Sequence, residues 1–450
     1  MKYQVFTRRN LHQIPQFRKL SQEQVQSIKT VSEVLPFKTN NYVLNELIDW
    51  DNYLADPFYI LNFPQREMLR PNQFRTISEM VRDNTSKTDL AKYILELRLN
   101  LNPHPDGQME HNVPSLNGQL LTGIQHKYRE TVLFFPSRGQ TCHAYCTFCF
   151  RWPQFIGMKE LKFSMKQLSL VLTYLKENPS VTDILITGGD PMVMKTEILA
   201  RYINKILDAN LPGLRTIRIG TKSLSFWPYR YLTDPDSKDL LDLLRSVNDS
   251  GIHMALMAHI NHPGELKTDA VKEAISRIRE TGTQIRSQSP LLRHINDDPA
   301  TWALMWKKQV NLGIIPYYMF VSRHTGAQSY FGVTLERSHR IFNDAYRQVS
   351  GIGRTVRGPS MSAAPGKVRI VGISEIRGEK VFVLEFLQAR NPEWVGQPFY
   401  AAFDPAAQWL DDLVPAFEED EFFFEKEYKK LLKVDKLPGH TILAENRQYA

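Results

Sequence analysis

Cysteine is almost missing: the 450 residues contain three, at positions 142, 146 and 149, and none elsewhere. A disulfide scaffold is therefore excluded, because such frameworks need cysteines spread along the chain. No apolar run approaches the roughly 18 residues that a bilayer-spanning helix needs. The opening Met1-Lys2-Tyr3-Gln4-Val5-Phe6-Thr7-Arg8-Arg9 lacks the apolar centre of a secretory leader. The cytoplasm is the expected compartment, with no membrane partner. Charge of one sign is not concentrated either. A net charge of +8 is mild for this length and spread along the chain, so no nucleic-acid partner is expected, while anionic small molecules suit it equally well. No repeat of fixed period is present, which excludes a solenoid.

What is present is ordinary globular composition, 42% hydrophobic and 23% charged, at a length that accommodates two or three domains or one α/β barrel with additions. Apolar residues at three- and four-residue spacing predict helices over 22–34, 43–53 and 90–99. Asp56-Pro57-Phe58 and Phe63-Pro64-Gln65 punctuate that region. The polar stretch 102–117 reads as a long connection into the main domain. From there β-rich runs at 131–135, 183–187, 216–219, 252–258, 284–289 and 314–320 alternate with helical patterns at 164–176, 195–209, 237–250, 267–281, 299–312 and 335–350. This alternation predicts parallel βαβ units, six in number, hence a partial (β/α)6 barrel. The expected divisions are 1–117, 118–350 and 351–450. The last begins with Arg357 to Lys367, continues with β-rich 368–371 and 381–386, and ends in an amphipathic closing or oligomer-contact helix within 417–436.

In such barrels the loops at the C-terminal ends of the strands build the site. Here those loops hold the cysteines and Arg151, Gly188-Gly189-Asp190-Pro191, Gly220-Thr221-Lys222, His259-Ile260-Asn261-His262, Gln288-Ser289 and Ser322-Arg323-His324.

Cys142, Cys146 and Cys149 crowd eight positions. Iron–sulfur clusters and structural zinc usually take four protein ligands, so three thiolates leave one metal corner open to a ligand. Two bland readings stand beside this: a zinc knuckle completed by His143 or a distant histidine, and three ordinary thiols.

The C-x3-C-x2-C spacing, with Phe148 before the last cysteine, resembles the signature of radical S-adenosylmethionine (SAM) enzymes. The resemblance extends further, through Asp56-Pro57-Phe58, Phe63-Pro64-Gln65, Gly188-Gly189-Asp190, Arg218-Ile219-Gly220, His259 to Pro263, Gln288-Ser289, Leu291-Leu292-Arg293, Tyr317-Tyr318 and Pro365-Gly366-Lys367. In this order the set resembles the lysine 2,3-aminomutase family of radical SAM, pyridoxal-phosphate-dependent enzymes, from about Asp56 to about Val371. The resemblance implies a radical SAM partial (β/α)6 barrel with a helical N-terminal region and a C-terminal α+β extension. It also implies a [4Fe-4S] cluster on the three cysteines, with SAM and pyridoxal 5′-phosphate as further cofactors. The implied isomerase reaction moves an amino group between C2 and C3 of an amino acid, through an aldimine and a 5′-deoxyadenosyl radical. An electron donor such as flavodoxin or ferredoxin is implied as well.

Residue by residue, Lys367 matches the lysine that carries pyridoxal phosphate, and Arg151 the arginine that holds the substrate α-carboxylate. Gly188, Gly189 and Asp190 match the turn that receives SAM, and Gln288 a glutamine near SAM and the second cofactor. Lys127 aligns with an arginine near the phosphate. A second arginine of the family is replaced by Thr131, with Arg129 close by. His259, Asn261 and His262 are further cofactor candidates, or structural strand-end residues.

Two positions depart from the pattern. Lysine-specific members hold the distal ammonium with two aspartates, and ungapped alignment places Arg323 at one and Ser360 at the other. Both negative charges are gone, so a substrate with an anionic or polar end, glutamate for example, is expected, with Arg323 and Ser360 as its contacts. The family's C-terminal zinc-binding cysteines are also absent, so the expected homo-oligomer forms without that metal. Two alternatives stay open: a radical SAM enzyme acting on a protein-bound lysine, and a non-enzymatic zinc or nucleic-acid-binding module.

Overall fold

A computed structural model describes residues 1–102, 111–156, 164, 165 and 167–434. The N-terminal region comprises β1 (Val5–Thr7), α1 (Gln22–Val34), β2 (Lys38–Asn40), α2 (Pro57–Asn62), α3 (Pro71–Arg82) and α4 (Lys87–Asn100). Helix α1 starts at residue 22 as its apolar spacing predicts, because Ser21 accepts the Gln24 amide and Gln24 reaches back to Ser21. The helix expected over 43–53 is a correction. Only one wide turn, Val43–Leu47, forms there. Asn40 starts that turn by accepting the amides of Tyr42 and Val43, and just beyond its end Asp49 accepts the Asp51 amide, a local side-chain bond that competes with a continuing helix.

After the small pair β3 (Ser115–Leu116) and β4 (Gln119–Leu120) comes the hairpin of β5 (Ile124–Tyr128) and β6 (Thr131–Phe134). Then follow α5 (Leu168–Glu177), β7 (Asp183–Ile186), α6 (Thr196–Asp208), β8 (Thr216–Thr221), the short α7 (Ser223–Phe226), α8 (Ser237–Asp249), β9 (His253–His259), α9 (Asp269–Glu280), β10 (Gln284–Leu291), α10 (Pro299–Asn311), β11 (Ile315–Val321), the short α11 (Gln328–Phe331) and α12 (Leu335–Arg347). All six expected strands and their helices are found. Parts of the expected connection at 102–117, of the helix at 164–176 and of the tail to 436 lie outside the described residues.

The helices follow from their patterns. Helix α9 buries Val271, Ala274, Ile275 and Ile278 at helical spacing. It opens on Thr268, which accepts the Val271 amide, and ends where Gly282 takes φ +82°, a left-handed geometry that a side chain resists. Asp298 starts α10 in the same way, through the Thr301 amide.

The expected boundary near 350 falls between α12 and β12 (Arg357–Ser362), and the sheet runs through it. β13 (Gly366–Ile376), β14 (Glu379–Ala389) and β15 (Pro398–Ala402) continue it, followed by α13 (Glu425–Val434). The result is an 11-stranded sheet ordered β15 to β5. Neighbours from β6 to β12 pair in parallel, and β5, β13, β14 and β15 pair antiparallel at the two ends.

The sheet curls until its ends approach, with β14 packed against β5. Arg390 pins that closure by donating to the carbonyls of Ala364 and His111 and to Asn112 Oδ1. The C-terminal strands have their own core, in which Phe382, Leu384, Phe386, Trp394 and Phe399 meet Phe422 and Phe424. Phe423 between them faces outward. The tail thus closes over its own sheet, and Glu427 of α13 accepts the Trp394 indole N–H at 2.8 Å.

Candidate active site

Strand β6 leads through Pro136 into the cysteine loop, and the N-terminal region grips that loop from outside. The Tyr145 amide donates to Lys38 O of β2 at 2.8 Å, and the Thr147 amide to Leu61 O of α2 at 2.9 Å. Thr147 Oγ1 adds a bond to Ile60 O at 2.8 Å. The His143 carbonyl accepts from Tyr3 and from buried Asn40. Asp56, whose side chain accepts the amides of Phe58 and Tyr59, starts the short helix that presents those carbonyls. The Asp56-Pro57-Phe58 motif therefore acts by positioning the loop.

Each cysteine is half-buried, and burial pushes the thiols up, Cys146 to about 12 and Cys149 to about 11. Burial also raises Cys142, with Asp190 and the other two thiols acting in the same direction. Each thiol has one opposing cation: Lys38 for Cys142, Lys222 for Cys146 and Arg151 for Cys149. Such a set gives up its protons to a bound metal and balances the resulting thiolates. Among the described residues, no three His, Cys, Asp and Glu side chains gather around one metal-sized point. A multi-iron cluster takes each thiol on a separate iron, and three thiols on one loop supply that ligand set. His143 stays neutral, its ring pushed down to about 3 by burial and nearby Lys38 and Arg230.

The turn after β7 lies directly on this loop. A Cβ at Gly189 would stand 2.5 Å from both the Thr141 amide nitrogen and carbonyl oxygen, so backbone meets backbone there and no side chain fits. The Asp190 amide donates to Thr141 O at 2.7 Å. The Asp190 carboxylate is buried and accepts from the Met192 amide, Thr221 Oγ1 and the Lys222 amide. Asp190 thus ties the β7 turn to the end of β8. Lys222 reaches from there to the fully buried Glu265 at 2.6 Å and to Asn261 Oδ1 at 2.9 Å.

On the inner face of the sheet, Lys367 is 9% exposed. Its Nζ lies 3.9 Å from the centre of the Tyr318 ring and donates to Gln388 Oε1 at 3.0 Å. Burial lowers its pKa to about 7, opposed by Tyr317 and reinforced by Arg218, Arg357 and Arg323. A half-neutral amine at neutral pH is what capture of an aldehyde cofactor requires. Arg151 lies over the Phe135 ring at 4.5 Å, and Phe150 receives both Arg151 and Arg323, at 5.0 and 4.8 Å. Burial lowers Arg151 to about 10, and its Nη1 is buried without a hydrogen-bond partner among the described residues. A desolvated guanidinium nitrogen without an acceptor calls for an anion from outside the chain.

The sheet therefore gathers Cys142, Cys146, Cys149, Gly188, Gly189, Asp190, Arg151, Arg323 and Lys367 around its interior and rim. Gln288 sits in register with His259 and Tyr318. Lys127 donates to the Ala363 carbonyl, four residues before Lys367. Other expectations fare differently. Arg129 is exposed on the β5–β6 turn, at the far end of β6 from the cysteine loop. Thr131 donates to Asp183. Ser360 is fully buried, and its hydroxyl donates to Met319 O at 3.3 Å, so it presents no polar group to a substrate. His262 accepts the Gly264 amide and Asn261 donates to Ser289, both structural tasks. His259 Nε2 is buried with no partner among the described residues.

Sequence reasoning missed Arg286 and Arg357, whose guanidiniums lie 5.1 and 5.4 Å from the Tyr317 ring centre. Position on a strand's inner face was the only available signal, and a bulge obscures it. No helix among the described residues is long and apolar enough to cross a membrane.

No family model matches the chain. It is similar to a protein of Aquifex aeolicus named putative L-lysine 2,3-aminomutase, 29% identical over 393 residues, 87% of this chain and 91% of that one. A glutamate 2,3-aminomutase of Clostridioides difficile is 26% identical over 211 residues, 47% of each chain. An L-lysine 2,3-aminomutase of Haemophilus influenzae is 26% identical over 235 residues, 52% of this chain and 65% of that one. Among solved structures, a radical SAM methyltransferase of Sphaerobacter thermophilus matches at a TM-score of 0.36 and 18% identity, covering 52% of this chain and 68% of that one.

Proposed function

We propose that this chain, a homologue of the L-lysine 2,3-aminomutases, is a radical SAM 2,3-aminomutase whose substrate is an amino acid with an anionic or polar far end, glutamate being the simplest. One observation carries the reading. The interior that surrounds Lys367 offers a substrate cations, Arg151 with a buried unpartnered nitrogen and Arg323 sharing the Phe150 ring with it, where a lysine-specific site offers carboxylates.

Cys142, Cys146 and Cys149 would hold the cluster, the Gly188-Gly189 turn would border SAM, and Lys367 would hold pyridoxal phosphate. When bound, these groups supply a hydrogen-abstracting radical and an anchor for the migrating nitrogen. The chain's residues do the rest. Arg151 binds the α-carboxylate with a planar fork, and its place two residues after Cys149 fixes the substrate beside the cluster. Lys367, its amine lowered to about 7 by burial, would be the residue that holds pyridoxal phosphate and can keep or give up a proton at its Nζ near neutral pH.

Arg323 selects the far end. A distal ammonium at about 4 Å from a guanidinium is repelled by about 4 kcal/mol at an effective dielectric of about 20, and a carboxylate is attracted by a similar amount. A peptide-bound lysine would present the same ammonium. Turnover of glutamate and lysine by wild type and by Arg323→Asp tests this. Wild type should favour glutamate, and the variant should lose glutamate turnover by about 100-fold or more. Unchanged glutamate turnover in the variant contradicts the assignment of Arg323.

A further inference from the structure

The strands on either side of β11 carry two cations that the reading above does not use, half-buried Arg286 and exposed Arg357. Along β10 and β11, Arg286 pairs with Ile315 and Ser287 with Pro316, and after a register shift Gln288 pairs with Tyr318. Tyr317 is therefore the extra residue of a bulge, a device that re-aims side chains next to functional sites. Tyr317 and Tyr318, which a regular strand would point to opposite faces, meet edge to face with centroids 4.2 Å apart. The Tyr318 ring carries Lys367 Nζ at 3.9 Å. The Tyr317 ring carries two guanidiniums, Arg286 of β10 at 5.1 Å and Arg357 of β12 at 5.4 Å.

Two guanidiniums on one ring repel each other. Arg286 donates to Gln284 Oε1, a neutral partner, and neither arginine pairs with a carboxylate among the described residues. Asp183, on the same inner face, is already held by Arg218 and Thr131. The candidates that alignment offered for a phosphate are differently engaged: Lys127 points to the Ala363 carbonyl, Thr131 to Asp183, and Arg129 is exposed on its turn.

We propose that Arg286 and Arg357, brought together on the Tyr317 ring by the β11 bulge, form the phosphate seat of the pyridoxal 5′-phosphate held by Lys367. The inference rests on Lys367 being the cofactor's attachment point. The charge of Arg357 is felt at Lys367, where it lowers the amine's pKa together with that of Arg218. Guanidinium forks from the two strands that flank β11 match the several oxygens of a phosphate better than one flexible ammonium does.

The test titrates the cluster-loaded full chain with pyridoxal 5′-phosphate and, separately, with unphosphorylated pyridoxal, reading attachment by visible absorbance and equilibrium dialysis. Wild type should prefer the phosphorylated aldehyde by about 100-fold, on the order expected of two charged hydrogen-bonding partners. The Arg286→Gln/Arg357→Gln double variant should lose at least about ten-fold of that preference while binding pyridoxal as wild type does, and Lys127→Gln should keep it. An undiminished preference in the double variant, or a preference lost in Lys127→Gln instead, overturns the proposal. Attachment that survives in Lys367→Ala, or is missing in wild type, overturns the attachment point, and with it this seat. Iron content and melting temperature check that each variant folds. If the double variant does not fold, Arg357→Gln alone, at an exposed position, should lower the preference several-fold, and an unchanged preference there overturns the proposal.

Discussion

Replacing Lys367 by methionine should yield a more stable protein that no longer captures pyridoxal phosphate. Burial, aided by Arg218, Arg357 and Arg323, lowers the amine from 10.5 to about 7. At ~1.4 kcal/mol per tenfold, that displacement is a native-state penalty of about 5 kcal/mol as an upper figure, reduced by the lost packing of the stem and the Gln388 bond. The unfolded chain binds the proton more tightly than the folded one between pH 7 and 10.5. Wild-type stability therefore rises with pH through that window, the penalty is complete below about pH 7, and it vanishes above about 10.5. Methionine at this position removes the penalty. Urea denaturation of the cluster-loaded, pyridoxal-free proteins at pH 6.5, 7.5 and 8.5 should show Lys367→Met more stable by a few kcal/mol at the lowest pH. The advantage should shrink by about 1 kcal/mol per pH step. A variant no more stable than wild type, or an advantage that does not shrink as pH rises, would refute the reasoning.

Three further outcomes follow from the geometry. Gly189→Ala should lower iron incorporation sharply in anaerobic reconstitution, since its Cβ would meet Thr141 backbone atoms at 2.5 Å and the cysteine loop would have to move; full iron content would contradict the close approach. Arg151→Met should lower kcat/KM for the substrate amino acid by about 100-fold or more, by loss of a charge-assisted carboxylate bond, without lowering the melting temperature of the substrate-free protein. Lys222→Met should destabilise by about 3–5 kcal/mol because Glu265 is left charged and fully buried. In Lys222→Met/Glu265→Gln much of that stability should return, and equal melting temperatures for the single and double variants would count against the pairing.

The six strand–helix units were legible because their signal is local: apolar period, capping residues such as Thr268 and Asp298, and glycines beyond helix ends. The cysteine loop and the Gly188-Gly189-Asp190 turn were legible because their chemistry is packed into short stretches. What escaped was set by pairing between distant strands. β12 was not read as a strand, since Gly358 and Pro359 argue against one. A register shift between Tyr318 and Phe320 accommodates it, and a Cβ at Gly358 would press within 2.6 Å of Met319 O. The β11 bulge, likewise invisible in spacing, places Tyr317 with Arg286 and Arg357. Ser360 aligned with a substrate contact, yet its hydroxyl turned to a neighbouring strand. The role of the first hundred residues, gripping the cysteine loop through Lys38, Ile60 and Leu61, could not be read from helical period at all.

The central question is which amino acid this interior accepts. The direct measurement is mass spectrometry of one anaerobic reaction in which reconstituted wild-type protein, SAM, pyridoxal phosphate and reductant meet glutamate, aspartate, lysine, arginine and alanine together. The account predicts β-glutamate, or another β-amino acid with an anionic or polar side chain, as the product. β-Lysine as the principal product would contradict it.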